Sequence, residues 1–172
     1  MTIDCPSDCE YLSEARSRER PVTLDPSQLP NQDVHLTAKF IEEHHALIAW
    51  TSIALAQAMT RAKAVDYDAR EALDALIRTY RTLQSGLIYE TRPTNPYAAA
   101  IQEAVKVSIA EVSERLEKQA GMHTLRDADV LGTLVYLQWL EIHYNNGRRR
   151  GRAFYDFLRT YMPEPAHSVV QI

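Results

Sequence analysis

Glycine is scarce in this chain: it accounts for five of the 172 residues, about 3% against an average near 7%. The five glycines are scattered, and neither a GxGxxG nor a GxxxxGK[ST] pattern occurs. Dinucleotide folds and P-loops need clustered glycines, because only glycine lets the backbone approach phosphates closely. The sequence therefore excludes both, and it disfavours a sandwich of many short strands, whose turns consume glycine.

Cysteine is also scarce, and the two residues present, Cys5 and Cys9, lie close together near the start of the chain. Structural zinc needs four ligands, and no second cysteine pair exists, so histidines from elsewhere would have to complete a site. A redox dithiol normally has the CxxC spacing, which is one residue shorter. The alternatives are a zinc-stabilised N-terminal arm, a redox pair, or two packed or free thiols.

Long apolar runs and a net basic charge are missing as well. The longest uncharged run, 46–60, is shorter than the roughly 20 residues that span a bilayer, and no signal peptide opens the chain. We therefore expect a cytoplasmic protein without a membrane partner. The net charge is −4, and nucleic acid is not an expected partner because binding it requires a basic face.

Charge and proline divide the chain into three parts. Residues 1–33 hold seven acidic and three basic residues, whereas the remaining 16 acidic and 16 basic residues cancel. No proline falls within 31–92 or 97–162, and an interior proline costs a helix roughly 3 kcal/mol. The sequence predicts an acidic arm at 1–33, a helical bundle domain at 34–162 and a flexible tail at 163–172.

Apolar residues recur at helical spacing in five segments, which predict helices over 37–63, 68–87, 96–120, 124–145 and 149–161. Asp68 with Glu71 resembles a capping box, and Asn95 followed by Pro96 is typical of a helix start. No segment alternates convincingly with period two. The expected fold is all-α: an antiparallel four-helix bundle with an additional short C-terminal helix and an irregular N-terminal arm. The fourth helix is apolar nearly all round, which predicts a central position or burial against a second copy or another protein.

Two polar residues lie on apolar helix faces. His44 is on the apolar face of the first predicted helix, and Glu141 follows the apolar stripe of the fourth. A buried carboxylate needs a partner, so one hypothesis pairs Glu141 with His44, assisted by Tyr80. Such a pair would be a proton-transfer couple or half a metal site, and the alternative is a structural polar network.

Glu42 and His45 have the Glu-x-x-His spacing of di-iron bundles. Glu42 lies opposite the apolar stripe of its helix, and no second motif of this kind occurs. We therefore expect these two side chains to form a solvated polar surface.

Four arginines, Arg148, Arg149, Arg150 and Arg152, form the one marked charge cluster of the helical domain. Guanidinium groups suit phosphate or carboxylate ligands, so this cluster is a candidate anion-binding site. The alternative is a contact with the acidic arm or with another subunit.

No triad, nucleophile elbow, HExxH or kinase signature is present. The sequence favours a non-enzymatic binding, assembly or regulatory module. The alternatives are a metal-binding or small-ligand bundle, which could be an enzyme using His44 and Glu141, and a zinc-stabilised protein using Cys5 and Cys9.

Overall fold

Six α-helices form the regular structure of residues 24–122 and 125–161, the part of the chain described by the computed structural model. They are α1 (Ala38–Glu43), α2 (His45–Ala62), α3 (Asp66–Gln84), α4 (Pro96–Ala120), α5 (Asp127–Tyr144) and α6 (Ala153–Tyr161), preceded by one 3-10 turn, Pro26–Gln28. No strand occurs in these residues, and the all-α prediction is confirmed. Most of the N-terminal arm and all of the predicted tail lie outside the described residues.

Side-chain hydrogen bonds set the helix starts. Asn95 accepts a hydrogen bond from the backbone N–H of Tyr97, and Pro96 is the first helical residue of α4, as the sequence predicts. Helix α3 begins at Asp66 rather than at Asp68, because the Asp68 carboxylate accepts the N–H of Val65 at 2.9 Å and so caps the helix from its third position.

The first predicted helix is interrupted at His44, whose backbone (φ −108°, ψ 16°) leaves the helical region and separates α1 from α2. Helix α5 starts at Asp127. The Asp129 carboxylate accepts the N–H of Arg126 at 3.3 Å there, so the cap is again an acid in the first turn. Residue 124, where the predicted helix begins, lies outside the described residues.

The helices pack around one apolar core. Helix α3 packs against α5 and α4, α2 packs against α4 and less extensively against α5, and α6 lies against α2 and α5. The largest fully buried core side chains include Phe154, Leu55, Met59, Leu73, Leu76, Ile101, Leu134, Leu137 and Leu158. Helix α5 is buried along most of its length, and neighbouring helices of the same chain supply contacts that explain its apolar sequence.

The connection 85–95 runs back along α3. Thr91 donates its N–H to the hydroxyl of Thr79 at 3.0 Å, and Asn95 then donates to the Asp68 carboxylate at 2.7 Å. Helix α4 therefore begins beside the start of α3, and the two helices run parallel. The return is sterically easy, because eleven extended residues reach about 36 Å and α3 is about 28 Å long.

Helices α3 and α5 run antiparallel, since Arg70 contacts Glu141 and Asp74 contacts Gln138. The packing is thus not antiparallel throughout, in contrast to the largely up-and-down arrangement suggested by the sequence. The difference arises because 85–95 is long enough to cross the bundle. None of the helices in 24–122 and 125–161 has the length and apolarity of a bilayer span.

Candidate functional site

The structure does not bring His44 and Glu141 together. The Nε2 atom of His44 lies 3.2 Å from Asp129 Oδ1, and its Nδ1 atom lies 2.9 Å from the Phe40 carbonyl oxygen. From Asp129 to Glu141 is twelve residues along α5, or about 18 Å of helix axis. The predicted contact is therefore not formed. Both ring nitrogens of His44 therefore face oxygen atoms.

Glu141 has no exposed surface and is held by two other residues. Arg70, from α3, donates from Nε to one carboxylate oxygen at 2.8 Å and from Nη2 to the other at 3.3 Å. Asn145 donates from Nδ2 at 2.7 Å. The hydrogen bond to Glu141 raises the pKa of Arg70 above its ordinary value. This two-point pairing fixes the plane of the guanidinium group.

Asn145 connects the buried carboxylate of Glu141 to the loop between α5 and α6, residues 145–152, which contains the four arginines of the predicted cluster. Its Oδ1 atom accepts the N–H of Gly147 at 2.6 Å, and the side chain of Asn146 accepts the N–H of Arg148 at 3.1 Å. Such side-chain turns hold the backbone of a short loop in one shape. A Cβ atom at Gly151 would overlap the Asn146 side chain and lie 3.0 Å from the Arg148 carbonyl. The backbone of this loop is therefore closely packed against its own side chains.

Asp66 anchors the far end of this loop. It is buried, and its carboxylate accepts the N–H groups of Phe154 at 3.0 Å and Tyr155 at 3.1 Å, which caps α6. Its own N–H donates to the Gly151 carbonyl at 2.9 Å. Burial raises the pKa of Asp66 although these two N–H groups favour the ionised form. The first turn of α3 thus positions both the loop and α6.

A pocket of about 320 Å³ lies between the start of α3 and this loop. Its lining consists of Tyr67, Arg70, Asn145, Gly147, Arg148 and Arg149. We call it the arginine pocket. Three of these six residues are arginines, and no acidic residue is among the described residues that line the pocket. Glu141, the partner of Arg70, is fully buried. Two of the five N–H groups of Arg70 bind Glu141, and its side chain keeps 39% of its surface exposed.

The four arginines of the predicted cluster do not act as one group. Arg148 and Arg149 line the pocket, whereas Arg150 and Arg152 are not among its lining residues. The guanidinium carbon of Arg152 instead lies 4.0 Å from the ring centroid of Tyr155, a cation–π contact on α6.

A second cavity, of about 640 Å³, lies near the other ends of α3 and α5. Leu36, Phe40 and Leu131 supply apolar lining, and Arg81 and Arg126 supply the guanidinium groups. We call it the mixed cleft. It includes Asp129, the partner of His44. Burial raises the pKa of Asp129, but the hydrogen bonds from Arg126 and the charge of His44 outweigh it and lower the pKa overall.

The remaining predicted site residues are dispersed. Burial raises the pKa of Tyr80 to about 12, with a smaller contribution from Asp127, and the ring packs against the core. Glu42 and His45 are exposed, as expected. Cys5 and Cys9 lie outside the described residues, and the zinc site remains a prediction. Within the described residues, no group of three acidic, histidine or cysteine side chains is placed to hold a metal ion.

The comparisons with known proteins return no match: no protein-family model, no curated protein and no solved structure resembles the chain closely enough to be reported. The case for function therefore rests on the chain's own geometry.

Sequence reasoning missed Arg70 and Asp66. No local pattern distinguishes Arg70 from the other arginines of α3, and only the register of α3 against α5 brings it to Glu141. The apolar stripe that contains Glu141 correctly indicated that this carboxylate needs a partner, but it contained no information about which residue supplies it.

Proposed function

We propose that the protein is a binding module that takes up the anionic group of a small molecule or of a partner in the arginine pocket. The observation that carries the proposal is the lining itself, in which Arg70, Arg148 and Arg149 meet and no acidic side chain is found among the described residues. Guanidinium groups match phosphate and carboxylate in shape and charge, and such charge-assisted hydrogen bonds are stronger than neutral ones.

Preorganisation supports the same proposal. Glu141 holds Arg70 by two hydrogen bonds, and the Asn145 and Asn146 turns shape the loop that carries the other two arginines. An arginine that is already fixed loses less conformational entropy when it binds a ligand. The pocket volume of about 320 Å³ is near the lower end for ligand sites, which suits a small anion or one anionic group of a larger molecule.

Binding is favoured over catalysis by the chemistry of the lining residues. Arginine, asparagine and tyrosine supply hydrogen-bond donors, and the six described lining residues include no histidine, lysine, cysteine or acidic side chain. The proposed role is therefore recognition, with the cytoplasmic location and self-association retained as predictions from the sequence.

The test is a calorimetric titration of the full chain with pyrophosphate at low ionic strength. We expect saturable binding to one site, weakened about tenfold or more by Arg149→Ala, since one charge-assisted hydrogen bond contributes about 1.5–3 kcal/mol. Arg61→Ala is the matched control, because Arg61 is an exposed arginine on α2 outside the pocket lining. Equal binding by both variants and the unaltered chain would overturn the assignment.

A further inference from the structure

Tyr67 brings an aromatic ring to the arginine pocket. It is the second residue of α3, lines the pocket and keeps 55% of its surface exposed. Among the described residues, no ring stacks on it and no side chain shares a hydrogen bond with its hydroxyl group. Tyr155, by contrast, lies under the guanidinium group of Arg152 at 4.0 Å. The ring of Tyr67 is therefore accessible to a molecule that enters the pocket.

Tyr67 and Arg70 are neighbours on the surface of α3. They are three residues apart, which places their Cβ atoms about 5–6 Å from each other on the same side of the helix. The hydrogen bond from Arg70 to Glu141 makes the largest contribution to the raised pKa of Arg70, and Tyr67 adds a smaller electrostatic one. An anionic group on Arg70 and a ring against Tyr67 can therefore belong to one small molecule.

The arginines of the pocket favour phosphate over carboxylate. Arg148 and Arg149 are exposed, and neither forms an ion pair within the part of the chain that the structure describes. Arg70 retains N–H donors beyond the two that bind Glu141. A phosphate monoester offers three acceptor oxygens and close to two negative charges, which suits three guanidinium groups better than the two oxygens of a carboxylate.

From these features we propose that the ligand of the arginine pocket is a phosphate ester of a flat aromatic ring, joined by a short link. The phosphate binds Arg70, Arg148 and Arg149, and the ring lies against Tyr67. Stacked aromatic rings contribute affinity beyond the burial of their area, so the ring distinguishes this ligand from inorganic phosphate. The inference rests on the proposed function, because it names the ligand class of the same pocket.

The test is a calorimetric titration of the full chain with phenyl, cyclohexyl and methyl phosphate, with pyrophosphate as the reference. At about pH 8 the three esters are dianions, because the second phosphate pKa is about 6, so they differ only in the attached group. We expect phenyl phosphate to bind about two- to tenfold tighter than cyclohexyl phosphate. Its advantage over methyl phosphate, which has no ring, should be larger still. This series uses the unaltered protein.

Three variants locate the ring. Tyr67→Leu removes the aromatic face and keeps an apolar side chain, whereas Tyr67→Phe keeps the face. Tyr97→Leu is the matched control, because Tyr97 is also the second residue of its helix, is 53% exposed and is not among the lining residues. We expect only Tyr67→Leu to lose the preference for phenyl phosphate. Upfield NMR shifts of the bound phenyl protons should also disappear in that variant, and pyrophosphate affinity should be unchanged in all three.

The outcomes separate this inference from the proposed function. If pyrophosphate binds but the unaltered chain shows no preference for the phenyl ester, the inference is wrong and the anion site stands. A preference that persists in Tyr67→Leu, or equal binding of cyclohexyl and phenyl phosphate, would likewise overturn it. Absence of pyrophosphate binding would refute the proposed function, and this inference with it.

Discussion

Removal of Arg70 should expose how strongly the buried carboxylate of Glu141 depends on it. In Arg70→Ala, Glu141 keeps one hydrogen bond from Asn145 but loses both contacts from the guanidinium group. Loss of one partner of a fully buried ion pair costs about 3–5 kcal/mol. Arg70 keeps 39% of its side-chain surface exposed, so water enters part of the space, and we expect a loss of about 2–3 kcal/mol in the free energy of unfolding.

Glu141→Gln removes the charge while keeping the shape of the side chain, and we expect it to cost about 1 kcal/mol. In the double variant Arg70→Ala/Glu141→Gln no buried charge is left without its partner. Its loss should therefore be about 1–2 kcal/mol smaller than the sum of the two single losses.

The measurement is urea unfolding of the four proteins, followed by circular dichroism and analysed as a double-mutant cycle. Arg78→Ala is the matched control, because Arg78 is an exposed arginine on the same helix, and its loss should stay within about 0.5 kcal/mol. Additive losses in the cycle would refute the view that Glu141 depends on Arg70 for its charge balance.

Three further predictions concern the elements around the two cavities. Burial raises the pKa of Asp66 above its ordinary value of 3.8, so the stabilisation linked to protonation of Asp66 is fully present below that value and is lost as the pH rises through the raised pKa. The stability difference between the unaltered chain and Asp66→Asn should shrink over that window, and a constant difference would contradict this. Gly132→Ala should cost about 1–3 kcal/mol by displacing Phe40, with partial rescue by Phe40→Leu in thermal unfolding. Gly151→Ala should weaken pyrophosphate binding by distorting the loop that Asn146 shapes, which titration would check; unchanged affinity would argue against a rigid loop.

The helical content could be predicted from local patterns because each helix carries its own stripe and most carry recognisable ends. The Asn95–Pro96 start needs only neighbouring residues, and it was predicted correctly. Other contacts join distant parts of the chain: His44, at the break between α1 and α2, faces Asp129, and Asp66 binds the loop and α6. Local periodicity contains no information about such contacts.

In the candidate site too, residues that are neighbours in the sequence could be predicted, and partners from distant parts of the chain could not. The cluster that contains Arg148 and Arg149 was visible in the sequence because the residues are adjacent. The third arginine, Arg70, is 71 residues from Glu141, and its role follows from the antiparallel register of α3 and α5. A buried carboxylate can be predicted to need a cation, but the identity of that cation is a property of the tertiary fold.

The most direct test of the central claim compares two double variants with the same loss of charge. Arg148→Ala/Arg149→Ala removes two arginines that line the pocket, and Arg61→Ala/Arg78→Ala removes two exposed arginines that do not. Calorimetric titration with pyrophosphate should show binding abolished or weakened at least a hundredfold in the first variant and nearly unchanged in the second. Equal weakening in both would mean that general charge attraction, rather than the arginine pocket, accounts for anion binding.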